Sequence, residues 1–394
     1  MAARDPLMPA IDFAHDALPD LHDRLAELRR HGPVVPVRYH GSPVWLVLDH
    51  AVLAAAFLDD DAFDPAEGYF AMTGTTQGRN LLSLHGTEHR ASRAMVTRPF
   101  LPAQARALVE ALIAPVAREL LDAIEGQRSL DLIPAFTRPF PFRVITRLLG
   151  IPIADEVLLL EWAIKLFDHP WDPEGALRAK AAFDDYMGRI IAARRRAPGD
   201  DFVSMLIAAD YEGERLDDER ILAFLRLLFP AGSDTTFKNA GSLFACVLGD
   251  PALIAMARRG EAERTAIVTE GLRWQPPTAL LPRRAAKDAT LGGVRIAGGD
   301  WLLFGITAAN SDPAVFADPR RFDPARDNRE IISFGRGVHF CLGMHLARRE
   351  LETALHLVLD RFPAMRLDPD RPVEFASAVL RGPRELWVQP YGAA

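Results

Sequence analysis

Phe334-Gly335-Arg336-Gly337-Val338-His339-Phe340-Cys341-Leu342-Gly343 surrounds one cysteine with three glycines. Glycine leaves no side-chain bulk beside the sulfur and permits the positive-φ turns of a tight loop. Helical patterning begins at Leu342, so Cys341 stands at a helix N-terminus, where free N–H groups and the helix dipole favour a thiolate. Two blander readings stay open on these residues alone. A buried, inert cysteine leaves the glycines without a purpose. A zinc site from His339, Cys341 and His345 lacks a fourth ligand and any Cys-x-x-Cys pair.

Outward from this loop, the bulk properties exclude several classes of function. The chain has 394 residues, 49% hydrophobic and 25% charged, enough for a sizeable core. Its net charge of −7 argues against a nucleic-acid partner, which needs a basic face. Cys246 and Cys341 are the only cysteines, too few for a disulfide framework, so a reducing compartment is expected. Cys246, among Phe244, Val247 and Leu248, reads as a core thiol. The N-terminus carries no apolar signal region, and no run of about 18 apolar residues predicts a membrane-spanning helix. The expected location is the cytoplasm.

Val34–Tyr39 and Val44–Leu48, flanking His40-Gly41-Ser42-Pro43, predict a hairpin. Residues 62–86, rich in Gly, Thr and Asp, predict a long loop. Helical periodicity covers about 49–58, 87–98, 103–125, 136–149, 155–168, 174–196, 201–209, 217–248, 251–258, 262–274 and 342–361. Short β-like runs follow at 294–296 and 301–304, and a strand pair at about 374–389. The fold class is mainly α with a small β-rich part. One domain spans 1–394, its β-rich part drawn from about 33–50, 282–304 and 374–389.

The most apolar helical segment, 217–248, contains Ala231-Gly232-Ser233-Asp234-Thr235-Thr236. These residues suit a buried helix interior poorly. Such a local conflict inside a core element marks a functional site. Pro230, just before, removes a backbone donor and predicts a kink. Glu270 and Arg273 form an i,i+3 acid–base pair on one helix face. His89 and Arg93, at i,i+4, also share a face.

Phe334-x-x-Gly337-x-His339-x-Cys341-x-Gly343 resembles the haem-binding signature of the cytochrome P-450 family, bacterial type. The resemblance runs from about residue 33 to the end. It implies that fold, with haem b between a long central helix and the cysteine loop, and Cys341 as the axial iron ligand. By the same likeness Phe334, Gly343, Ala231 and Gly232 would lie against the cofactor. The helix would open locally at the motif, with small residues admitting O2 and substrate. His89, Arg93, His339 and Arg283 would bind the propionates, with Arg284 one residue away as the alternative. Asp234 and Thr235 would be catalytic, managing protons for oxygen activation. Phe322-Asp323-Pro324-Ala325-Arg326 resembles another family segment and would complete a Glu270–Arg273–Arg326 structural network.

What the resemblance implies functionally is a haem-thiolate monooxygenase that places one atom of O2 into a C–H bond of a hydrophobic small molecule. Electrons would come ultimately from NAD(P)H, through a ferredoxin and its reductase, with Arg90, Arg93, Arg98, Arg348 and Arg349 as docking candidates. The substrate pocket would draw on Phe70, Met72, Leu81, Phe167, Trp171, Leu228, Leu280 and Val379. A monomer is expected, with no membrane partner. A peroxygenase or isomerase, and a non-catalytic haem sensor or carrier, are the alternative readings. The Asp234-Thr235 pair favours the monooxygenase, because peroxide users need no proton relay for O2.

Overall fold

The computed structural model describes residues 11–169 and 171–392, with the side chain of Phe167 outside the described set. Helices dominate, and their backbone is the helix Asp218–Leu248. The Asp217 carboxylate accepts from the Arg220 N–H at 2.8 Å, and Asp218 and Glu219 fill the first turn, where the dipole favours anions. Most of its later residues are buried, in one large core shared with the helices Pro139–Leu148, Pro173–Arg196 and Met344–Arg361.

The expected hairpin forms as Val34–Tyr39 and Ser42–Val47. Its two turn residues, His40 and Gly41, both take positive φ (50° and 73°), as a two-residue hairpin turn requires. The Asp12 carboxylate holds both their N–H groups. Ser42–Val47 then pairs parallel to Trp301–Gly305, which pairs antiparallel to Leu280–Arg284. The strand pair expected at about 374–389 forms outside this sheet. Phe375–Ala376 pairs with Gly382–Pro383, while Trp387–Gln389 pairs with Arg366–Leu367 and Leu130–Asp131. Pro383 has no N–H to extend a ladder, and Arg381 is buried, donating to the carbonyls of Leu18, Pro19 and Ser377.

Three expectations need correction. The long loop at 62–86 is partly helical, as Asp60–Phe63 and Pro65–Gln77. Asp64 caps the second helix through the Ala66 N–H, and Pro65 is preset for its first turn. The single helix at 103–125 is three pieces, with a wide π-turn at Val109–Ile113 just before Pro115, whose missing N–H breaks the ladder. The helical run Gly86–Ala123 is also long and apolar enough, by length and composition alone, to cross a bilayer, contrary to the expectation of none. It is a broken rod, and its later segments pack against Met344–Arg361.

Candidate active site

The cysteine loop is tied to itself. The Cys341 N–H donates to the Phe334 carbonyl (2.9 Å) and the Phe340 N–H to that of Gly337 (3.1 Å). Gly337 has φ 75°, and a Cβ there would lie 2.7 Å from the Phe57 carbonyl oxygen, so only glycine fits. Cys341 retains accessible surface although much protein packs around it. Gly343 is open as well, because a side chain there would meet nothing within 4 Å. Among the described residues no three His, Cys, Asp or Glu side chains could hold a bare metal ion, which removes the His339–Cys341–His345 zinc reading.

Two opposing effects act on the Cys341 thiol. Burial pushes the Cys341 thiol up, and the Gly343 and Met344 N–H groups and Arg93 only partly oppose it. A thiolate here needs a positive centre at the sulfur, which a ferric haem supplies.

Beside the loop lies a group of cation and donor side chains. The rings of His89 and His339 are 4.0 Å apart, and His89 Nε2 and His339 Nδ1 are buried without a partner. Burial lowers both imidazoles, to about 4 and about 3, with Arg93 adding to the effect on His89 and His89, Arg283 and Arg93 to that on His339. Arg283 is buried beneath Phe57 and Phe304, its one bond going to its neighbour Pro282. Burial lowers its guanidinium to about 10. Arg93 donates to the Phe340 carbonyl at 2.6 Å. Neither Arg93 nor Arg283 has a carboxylate within ion-pair distance among the described residues. Buried donors without acceptors call for an anionic group. Haem propionates fit that demand, directly beside a sulfur that needs a cation. Strand alternation turns Arg284 the other way, toward Glu67 (3.7 Å) and the Gly299 carbonyl.

On the central helix, the local opening implied at the Ala231–Thr236 motif is absent. Helix continues through Pro230, and the hydroxyls of Ser233 and Thr235 donate back to the carbonyls of Phe229 (2.6 Å) and Ala231 (2.8 Å). Gly232 has a packing role, since a Cβ would come 2.5 Å from Ile145 Cδ1 on the neighbouring helix. Asp234 is enclosed. Burial raises its carboxyl pKa, opposed by Lys238, whose Nζ is 3.8 Å away, and by Arg138.

Beneath the loop, Glu270 and Arg273 are wholly buried and bonded twice, at 2.8 and 2.6 Å. Arg273 also donates to the carbonyls of Asn310, Pro319 and Arg321. Glu270 accepts from the Asp323 N–H, Asn328 and, at 3.4 Å, Arg326. Asn310 carries the network to Ser333, beside Phe334, which lies under Arg348.

The residues expected to line the pocket differ in their surroundings. Leu280 is fully buried in the core with Leu46 and Leu303, with Val379 packed on that core. Leu81 and Leu228 belong to the main core. Phe70 and Trp171 are about half exposed, and Met72 is partly buried. One buried group escaped the sequence reading. Arg226 is 1% exposed and bonds Asp184 (2.5 Å) and Glu219 (2.8 Å), joining the central helix to Pro173–Arg196. Its signal was a lone charge in the apolar run 221–229.

Known proteins resemble this chain over most of its length. The cytochrome P450 family model matches residues 264–387. Cytochrome P450 107B1 of Saccharopolyspora erythraea is 30% identical over 94% of this chain and 95% of its own length. The 6-deoxyerythronolide B hydroxylase of the same organism is 33% identical over 92% and 94%. Among solved structures, the Bacillus subtilis bacillaene polyketide synthase cytochrome P450 PksS superposes with a TM-score of 0.87 at 30% identity, covering 94% of this chain and 97% of that one. P450BioI, solved with an acyl carrier protein ligated to a hexadecenoic acid, gives 0.85 at 27% identity over 93% and 97%. The chain belongs to the cytochrome P450 family of haem-dependent, oxygen-using oxidoreductases.

Proposed function

We propose that this protein is a ferredoxin-dependent monooxygenase that hydroxylates a C–H bond of a hydrophobic small molecule. The observation that carries the site assignment is the set His89, His339 and Arg283, donors without acid partners next to a sulfur that needs a cation. In this reading Cys341 is the axial ligand, and His89, Arg93, Arg283 and His339 hold the propionates. Haem supplies oxygen activation when bound. Gly343 leaves the face of the sulfur clear, and the Gly343 and Met344 N–H groups tune it.

Asp234 takes up and passes on protons, its carboxyl poised upward by burial and restrained by Lys238 and Arg138. Thr235 donates its hydroxyl to the Ala231 carbonyl one turn back, and in this reading it exchanges that bond for one to the oxygen ligand. Thr235→Ala is expected to slow product formation several-fold more than electron consumption. Paired measurements of NAD(P)H use and product check this, and unchanged coupling rejects the role.

Electrons enter from NAD(P)H through a reductase and ferredoxin. Of the docking candidates, Arg349 is engaged by Glu261 and Glu352 and Arg93 by Phe340. Arg90, Arg98 and Arg348 have no ion-pair partner among the described residues and are the charges offered to an acidic surface. Two unpaired thiols suit a reducing cytoplasm. PksS, named with a polyketide synthase, and P450BioI, solved with a fatty acid on an acyl carrier protein, favour a polyketide-like or fatty-acyl substrate.

The deciding experiment is the CO difference spectrum of the reduced, haem-loaded protein. A red-shifted Soret band is expected, and its absence in folded protein rejects thiolate ligation. Arg283→Met is expected to weaken haem retention about tenfold, with Arg284→Met unchanged, as measured by haem transfer to apomyoglobin.

A further inference from the structure

Asp234, Phe237 and Lys238 stand together on the central helix. Helical side chains lean toward the N-terminus, so a lysine at i+4 reaches back over an acid at i. Lys238 Nζ lies 3.8 Å from Asp234 Oδ1 and 5.0 Å from the centre of the Phe237 ring. Arg138, which precedes the helix Pro139–Leu148, stands over the same ring at 5.4 Å. It has no acid within ion-pair distance among the described residues. A ring face attracts cations without neutralising them, so both cations look to the one enclosed carboxylate.

The lysine stem is fixed from outside the helix. A Cβ on Gly382 would lie 2.9 Å from Lys238 Cβ and 3.1 Å from its Cγ, so the bare backbone of the strand Gly382–Pro383 seats that stem. The side chains of Lys238 and Asp234 are only 23% and 22% exposed, so water and salt screen the pair incompletely. Charge acts on Asp234 from three elements: Lys238 on its own helix, Arg138 before Pro139–Leu148, and Asp168 just after the helix Glu156–Phe167. Asp168 is itself paired with Lys165 at 3.3 Å. Burial pushes the Asp234 carboxyl up, and Lys238 is the foremost charge opposing it, ahead of Arg138. Thr235 is bonded one turn back, to Ala231, whereas Asp234 is paired one turn ahead, to Lys238. A proton relay through both residues therefore needs Asp234 to part from Lys238.

We propose that Lys238 is a positioning residue for proton delivery, holding the resting Asp234 carboxylate ionised and paired, and so setting the pH above which the relay fails. This rests on the relay role read above for Asp234.

The test titrates Asp234 in the haem-loaded enzyme by infrared spectroscopy, through the protonated-carboxyl band that Asp234→Asn removes. Lys238→Met should raise the midpoint of that band by about one pH unit, because losing a nearby cation favours the neutral acid. Lys238→Arg should restore the parent midpoint, and Arg138→Met should raise it by less. Coupling of NAD(P)H use to product should fall with rising pH through the same midpoint and move with it, since the acid form is the donor. Folding of each variant is checked by its CO spectrum, and if Lys238→Met does not fold, Lys238→Gln carries the same prediction. An unmoved midpoint in the lysine variant, or a larger shift in Arg138→Met, overturns the role of Lys238 and leaves the relay standing. Parental coupling in Asp234→Asn at every pH overturns the relay and the proposal with it.

Discussion

Cys341→Ser is expected to fold, bind haem and lose the reaction. The hydroxyl can accept from the Gly343 and Met344 N–H groups as the sulfur does, and the loop bonds at Phe334 and Gly337 are main-chain. Oxygen is a weaker electron donor than thiolate sulfur, so the push toward O–O cleavage is lost. The reduced CO complex should lose its red-shifted Soret band. Turnover should drop by roughly three orders of magnitude, equivalent to about 4 kcal/mol of barrier. Stopped-flow reduction, CO spectra and product analysis check it. A variant that keeps both the red shift and turnover removes Cys341 from the iron.

Arg273→Met is expected to cost more stability than any single change outside the cysteine loop. The arginine is fully buried, and its loss leaves the Glu270 carboxylate in the core with only Asp323, Asn328 and Arg326 as partners. Breaking a buried pair by removing one member costs about 3–5 kcal/mol. The carbonyls of Asn310 and Pro319 lose this donor in the same step, while that of Arg321 keeps Arg326. Urea denaturation of the haem-loaded protein should show a large fall in midpoint, with haem released early because Asn310 links this network to Ser333 beside the loop. A Glu270→Gln/Arg273→Met double variant should recover part of the loss, since the stranded charge is gone. A midpoint within 0.5 kcal/mol of the parent, about the limit of an ordinary surface change, would falsify the network's structural role.

Much of the site was legible because its constraints are local. Glycines around Cys341 report a tight loop, and the Glu270–Arg273 spacing places two side chains on one face whatever surrounds them. Helix caps were equally local, yet Asp64-Pro65 was outweighed by the Gly and Thr content after it. In the fold those threonines bond inward, Thr76 to the Leu166 carbonyl on a neighbouring helix. The pocket was the least legible part. Burial depends on which face of a strand or helix meets a neighbour, so Leu280 reads as a pocket wall in sequence and lies in the core in space.

By itself the sequence determined the loop around Cys341, the helix that follows it and the chemistry one cysteine among three glycines permits. Tertiary structure set the surroundings of that cysteine. The Gly343 and Met344 N–H groups and Arg93 favour the thiolate, while burial among residues distant in sequence opposes it. It also buried Arg283 and turned Arg284 toward Glu67, by the strand pairing of Leu280–Arg284 with Trp301–Gly305, and brought His89 against His339 across 250 residues of chain. Desolvation and long-range pairing are properties of the folded assembly, and no spacing along the chain encodes them.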